Sequence, residues 1–171
     1  FSAEDVIAGG GGFCATNTIF ARTEFFRCMP SYVRTYSLDY MVQIYLSTCG
    51  DTYGISGELS AYRRNTEGSW SERMYRAPEA YVRHEQKLKK HLALFDEATG
   101  EKYHAAVSAA VDKLDFDILY FQRNYRALRQ PRFKAVYAAM SPKARLKSRL
   151  DQFFPGLMNL YDKMKKKHGQ L

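Results

Sequence analysis

Four histidines, three cysteines and 18 Asp+Glu are the side chains of this 171-residue sequence that could ligate a metal or move a proton. His84 and His91 stand seven residues apart, whereas a helical metal pair needs a spacing of about four with a glutamate between. Lys87, Lys89 and Lys90 flank them and would repel a cation, so no metal site is expected there. His104 extends an apolar seam backwards by one step and reads as a core or interface histidine, while His168 belongs to a basic tail. Asp112, Asp115 and Asp117 could serve as acid and base only if burial drove their pKa values apart. With Lys113 among them, they read instead as a solvent-facing stripe. Gly-x-Ser-x-Gly is absent. Cys14, Cys28 and Cys49 cannot all pair within the chain, fit no zinc spacing and read as small buried hydrophobes. Gly9 to Gly12 carry neither Gly-Lys-Ser/Thr nor the dinucleotide fingerprint. The chain reads as non-enzymatic, with no cofactor expected beyond a bound anionic phospholipid.

Charge is the chemistry that does stand out. The formal net charge is +8, and residues 131–171 hold ten basic side chains against Asp151 and Asp162, so the whole excess lies at this end. A neutral body with a cationic end points to a docking surface for something anionic. Lys143, Arg145, Lys147, Arg149, Lys163, Lys165, Lys166 and Lys167 are the candidate docking residues. Leu146, Leu150, Phe153, Phe154 and Leu157 interleave with them and form a candidate apolar seat, which a merely solvated tail would not need. A second mixed run, Tyr120 to Arg129, places Arg123, Arg126 and Arg129 on one helical face and Phe121, Tyr125 and Leu128 on another. Arginine and aromatics could bind RNA in this way, but a core face with a charged flank is the simpler reading.

The elements that position these residues are helical. Leu38, Met41, Val42, Tyr45, Leu46 and Cys49 keep helical spacing, with Gly50 as a stop. A looser stretch carries Ile55, Leu59 and Tyr62, and Ser69-Trp70-Ser71-Glu72 reads as a capping box. Tyr81, Glu85, Leu88, Leu92 and Phe95 step by four and three up to Thr99-Gly100. Val107, Val111, Leu114, Ile118, Phe121, Tyr125 and Leu128 repeat that step, predicting a long helix that ends at Gln130-Pro131. Past Pro131, Phe133, Val136, Tyr137 and Met140 suggest a short helix, and Ser141-Pro142 an N-cap with first-turn proline. No strand pattern and no run of eighteen uncharged apolar residues occurs. The expectation is an all-α protein, an irregular helical bundle built on a central antiparallel helical hairpin over 78–130. Residues 1–30, with their tetraglycine run, read as an extended N-terminal arm, and 31–171 as one helical domain with a basic C-terminal region over 131–171.

In overall style the chain resembles the lineage-specific accessory subunits of mitochondrial ATP synthases and respiratory complexes, which are Tyr- and Arg-rich, helical, basic and processed at the N-terminus. No initiator Met opens it, which fits either a longer chain cut short or a mature product without its leader. Asn124-Tyr125-Arg126 shares two residues with the Leu-Tyr-Arg motif of a family of small mitochondrial helical proteins, but lacks the leucine, and no function is carried over. The resemblance implies a structural, non-catalytic subunit on the matrix side of the inner membrane. Its partners would be other subunits of a large hetero-oligomeric complex, with peripheral membrane contact. The alternative is a protein of a mitochondrial ribosome or other RNA assembly. Its affinity would fall roughly 10³-fold between about 50 and 200 mM salt for six to ten phosphate contacts.

Overall fold

The structure, a computed structural model, describes residues 1–36, 38–58, 60–61, 66, 68–69, 72–74, 77–156 and 164. Among the described residues all regular structure is helical and no strand occurs, as the apolar spacing predicts. The chain divides into two compact units, Phe1–Leu114 and Asp115–Leu171.

In the first unit, α1 (Ala3–Gly9), α2 (Thr23–Arg27), α3 (Ser31–Tyr36), α4 (Asp39–Thr48) and α5 (Pro78–Ala98) precede α6 (His104–Phe121), and the division between the units falls inside α6. Where the tetraglycine run suggests an extended arm, residues 3–9 form a helix and join the core. Its start is a capping box: the Ser2 hydroxyl accepts from the Asp5 N–H at 3.3 Å, and the Asp5 carboxylate accepts from the Ser2 N–H at 2.8 Å. Its end is Gly10, whose φ of +65° only glycine adopts without strain. The glycines therefore stop a helix that has already buried Val6 and Ile7, and single 3₁₀ turns follow at Gly10–Gly12 and Thr16–Thr18.

One helix, α4, holds this N-terminal stretch. The Tyr40 hydroxyl donates to the Ile7 carbonyl at 2.7 Å, and Gln43 Nε2 donates to the Cys14 carbonyl at 3.1 Å. The Asp39 carboxylate accepts from the Thr16 hydroxyl. Burial raises the Tyr40 hydroxyl pKa well above the ordinary tyrosine value, which keeps it a donor. α1 packs on α4, and α3 lies against both α4 and α5. Ile7, Val33, Met41, Ile44, Leu92 and Phe95 form the fully buried centre. The α4 face is rotated slightly from the predicted one: Met41 and Ile44 lie deepest, with Leu38, Val42, Leu46 and Cys49 packed at the margin. Cys28 is exposed, so only Cys14 and Cys49 act as partly buried small side chains.

Pro78 opens α5 at its first turn, and Leu88, Leu92 and Phe95 carry its buried stripe, as their spacing predicts. The Gly50 stop also falls in place, just beyond α4. Residues 51–58 have no regular structure and Ile55 is exposed, while Leu59 and Tyr62 lie outside the described residues. The Ser69 hydroxyl accepts from the Glu72 N–H at 3.3 Å, but the Glu72 carboxylate takes the Gly68 N–H instead of closing the box on Ser69. Gly100, at φ +62°, ends α5 with the N–H of Glu101 donating to the Asp96 carbonyl at 2.8 Å.

Across that connection His104 is not a core residue. It is exposed, and its Nδ1 lies 2.7 Å from the Asp96 carboxylate, whose hydrogen bond and charge raise the imidazole pKa above 6.5. The charged pair therefore contributes fully below about pH 6.5 and fades as pH rises through the raised value. The stability lost in His104→Ala is expected to be larger in acid than at alkaline pH in denaturant titrations. A loss independent of pH would contradict the pairing.

In the second unit α6 stops at Phe121, nine residues before the predicted end at Gln130. Arg123 takes φ +57°, its N–H donates to the Tyr120 carbonyl, and the Asn124 N–H donates to the Leu119 carbonyl. This is the six-to-one closure that usually employs glycine, here made by an arginine, which is why the heptad pattern runs past it unmarked. Tyr125 and Leu128 reach their core from a turn and a 3₁₀ turn instead of a helix. Short 3₁₀ turns at Ala127–Arg129 and Pro131–Phe133 lead to α7 (Lys134–Ala139) and α8 (Pro142–Phe153). Phe116, Tyr125, Leu128 and Phe133 form the core of this unit. Asp115 is not a solvent-facing carboxylate, being mostly covered and paired with Arg132 at 3.0 Å.

Candidate docking surface

The candidate docking residues lie on and beyond α8. Its start follows the sequence: the Ser141 hydroxyl accepts from the Ala144 N–H at 3.2 Å, and Pro142 occupies the first turn. Phe154 caps its end, before Pro155-Gly156. Leu157, Lys163, Lys165, Lys166 and Lys167 lie outside the described residues.

The orientation of α8 reverses the usual amphipathic arrangement. Ser148 and Asp151 are its buried side chains, whereas Leu146, Leu150, Phe153 and Phe154 are 58%, 37%, 64% and 58% exposed. At 100° per residue, Leu146, Leu150 and Phe153 share about 60° of arc. Lys143 and Lys147 border this stripe on one side and Arg149 on the other, and all three are exposed. Arg145 departs from the sequence expectation. It is half-buried on the inner face, and its Nε donates to the Met140 carbonyl at 3.1 Å, so it braces the helix start.

What turns the polar face inward is a carboxylate. Asp151 is the one acidic residue of α8, and its side chain is 2% exposed. It accepts from the Tyr125 hydroxyl at 2.5 Å and lies 3.4 Å from Arg123 Nη1. Burial, and then the hydrogen bond to Asp151, raise the Tyr125 hydroxyl pKa well above the ordinary value, so tyrosine stays the donor. One residue on, Gln152 Oε1 accepts from Arg129 Nη2 at 2.9 Å. The left-handed turn that ends α6 thus supplies both partners of Asp151 and fixes how α8 is rolled. Sequence reading counts Asp151 only as a stray negative charge. The available signal is that Ser148 and Asp151 stand three apart, opposite the leucine stripe. Tyr125→Phe is expected to lower the stability of the second unit by about 1.5–3 kcal/mol, the range for hydrogen bonds to charged groups, as read by urea unfolding. An unchanged midpoint would show that the bond contributes nothing.

The other groups singled out by type do not converge. His91 Nδ1 donates to the Tyr32 carbonyl at 2.9 Å, tying α5 to α3. Burial, then the Lys87 charge, lower the His84 pKa, with Asp39 opposing. Among the described residues no three His, Cys, Asp or Glu side chains are grouped so as to hold a metal ion, and no helix is long and apolar enough to cross a membrane. Among the described residues the combined basic and apolar face of α8 is the candidate docking surface. Set against family models, curated proteins and solved structures, the chain matches none of them, and that face is interpreted from its own residues.

Proposed function

We propose that the protein is a non-catalytic accessory subunit of a mitochondrial inner-membrane complex, an ATP synthase or a respiratory-chain complex. It bridges neighbouring subunits and docks on an anionic lipid or acidic subunit surface on the matrix side. The observation that carries the reading is the shared outward face of α8, where Lys143, Lys147 and Arg149 border Leu146, Leu150 and Phe153. Near a charged membrane each such cation contributes about 1 kcal/mol, and Lys163 to Lys167 would add to the same end of the chain. The Tyr- and Arg-rich, basic, helical style shared with such subunits supports the assignment to that setting.

In this reading α5 and α6 fold back as an antiparallel hairpin that stiffens the body. Phe20, Tyr53 and Ile55, each largely exposed, offer further contacts to neighbours. RNA phosphates would engage the cations of α8 but leave its leucines and phenylalanines in water, which weighs against the ribosomal alternative. Purification of the native assembly in mild detergent, through a tag on this chain, tests the proposal. Co-purifying subunits of an ATP synthase or respiratory complex are expected, whereas ribosomal RNA released by moderate salt would replace the reading with its alternative.

A further inference from the structure

The anionic surface that α8 meets has two chemically distinct sources, a lipid leaflet and an acidic protein. We infer that it is a leaflet of anionic phospholipid, on which α8 lies in the interfacial plane. This deepens the docking reading and rests on it. Three observations favour lipid. First, no acidic side chain lies on the outward face, because the one carboxylate of α8 is turned inward onto Tyr125 and Arg123. Second, cations border the apolar stripe on both sides, Lys143 on one and Arg149 on the other, so their stems can lie along it while the charged ends reach head groups. Lysine is depleted from protein–protein interfaces, yet two of the three bordering cations are lysines. Third, Phe153 and Phe154 place two exposed rings at one end of the stripe, and submersion of the stripe by about 5–10 Å would cover them. A second copy of this chain is a poor occupant, since Lys143, Lys147 and Arg149 would meet their own kind.

The outward stripe is also built. Burial alone would turn Leu146, Leu150 and Phe153 inward and leave Asp151 in water. The Asp151 contacts hold the opposite roll, so the helix meets a membrane with its apolar side already presented.

Co-sedimentation of the full chain with vesicles of phosphatidylcholine, alone or doped with phosphatidylglycerol, tests the assignment. Binding to the doped vesicles only is expected. Leu146→Glu with Phe153→Glu should reduce it to background, and because these side chains are 58% and 64% exposed the melting temperature should barely move. Lys143→Gln and Arg149→Gln should each weaken binding about five-fold, and together about twenty-five-fold. Equal binding to both vesicle types, or binding to neither, overturns the lipid assignment. So does capture by polyglutamate without vesicle binding, which would make the occupant an acidic protein. None of these three results decides the accessory-subunit reading, which co-purification tests separately.

Discussion

Phe133→Ala is expected to unfold most of the second unit. The ring is fully buried, meets Phe116 edge-on with centroids 5.8 Å apart, and carries the Arg132 guanidinium 4.3 Å above it. Arg132 in turn pairs with Asp115 on α6 at 3.0 Å, so one ring supports both the core and an ion pair. Among the described residues, four are buried in this core cluster, Phe116, Tyr125, Leu128 and Phe133. Truncating a buried phenylalanine costs about 3–5 kcal/mol, and small domains hold roughly 0.05–0.15 kcal/mol per residue in all. Little of the unit's stability would remain. Hydrogen exchange should show amides of α6 beyond Asp115, and those of α7 and α8, losing most of their protection. Retained protection would mean that the unit has a core other than the one described.

The second large effect lies at the other end of the chain. Ile7→Ala is expected to destabilise the first unit by about 2–5 kcal/mol, the range for truncating a buried isoleucine. Ile7 has no exposed surface, and its carbonyl accepts from the Tyr40 hydroxyl. Val6 beside it is equally enclosed. An exposed arm would tolerate the same substitution within about 0.5 kcal/mol. Urea unfolding followed by far-UV circular dichroism separates the two outcomes, and a midpoint equal to that of the unsubstituted protein would return residues 1–12 to the status of an arm.

These two sites mark where sequence reading succeeds and fails. The stripes of α5 and the first half of α6 are legible because each runs several turns at a constant period and Gly100 punctuates them. α1 is not, because seven residues give barely two turns of pattern and the following glycines draw attention to flexibility. The physical signal there is Ser2 with Asp5, a capping box whose acidic member is aspartate in place of the usual glutamate or glutamine. The early end of α6 is illegible for a different reason. Arg123 makes a left-handed closure with no residue-type signature, and its side chain is held by a carboxylate 28 positions away.

The candidate docking face was half legible. Periodicity identifies Leu146, Leu150 and Phe153 as one stripe, flanked by lysines, but a stripe carries no statement of which way it faces. The usual expectation turns it inward. What decides the matter is where Asp151 finds its partners, and these come from a turn 26 to 28 residues earlier. Arg145 leaves the outward set for a local reason, since its Nε donates to the carbonyl of Met140 only five residues earlier and so holds it on the inner face.

The central claim is that the apolar side of α8 is open in the free protein and covered only by its target. Tryptophan fluorescence at its middle tests this most directly, since Trp70 is the chain's sole tryptophan and can be replaced by phenylalanine. Leu146→Trp in that background, at a position 58% exposed, should emit as a water-exposed indole, strongly quenched by acrylamide. Adding vesicles that contain phosphatidylglycerol should shift the emission to the blue and suppress quenching. Emission from a buried indole before any vesicle is added, or a spectrum that anionic vesicles leave unchanged, would contradict the claim.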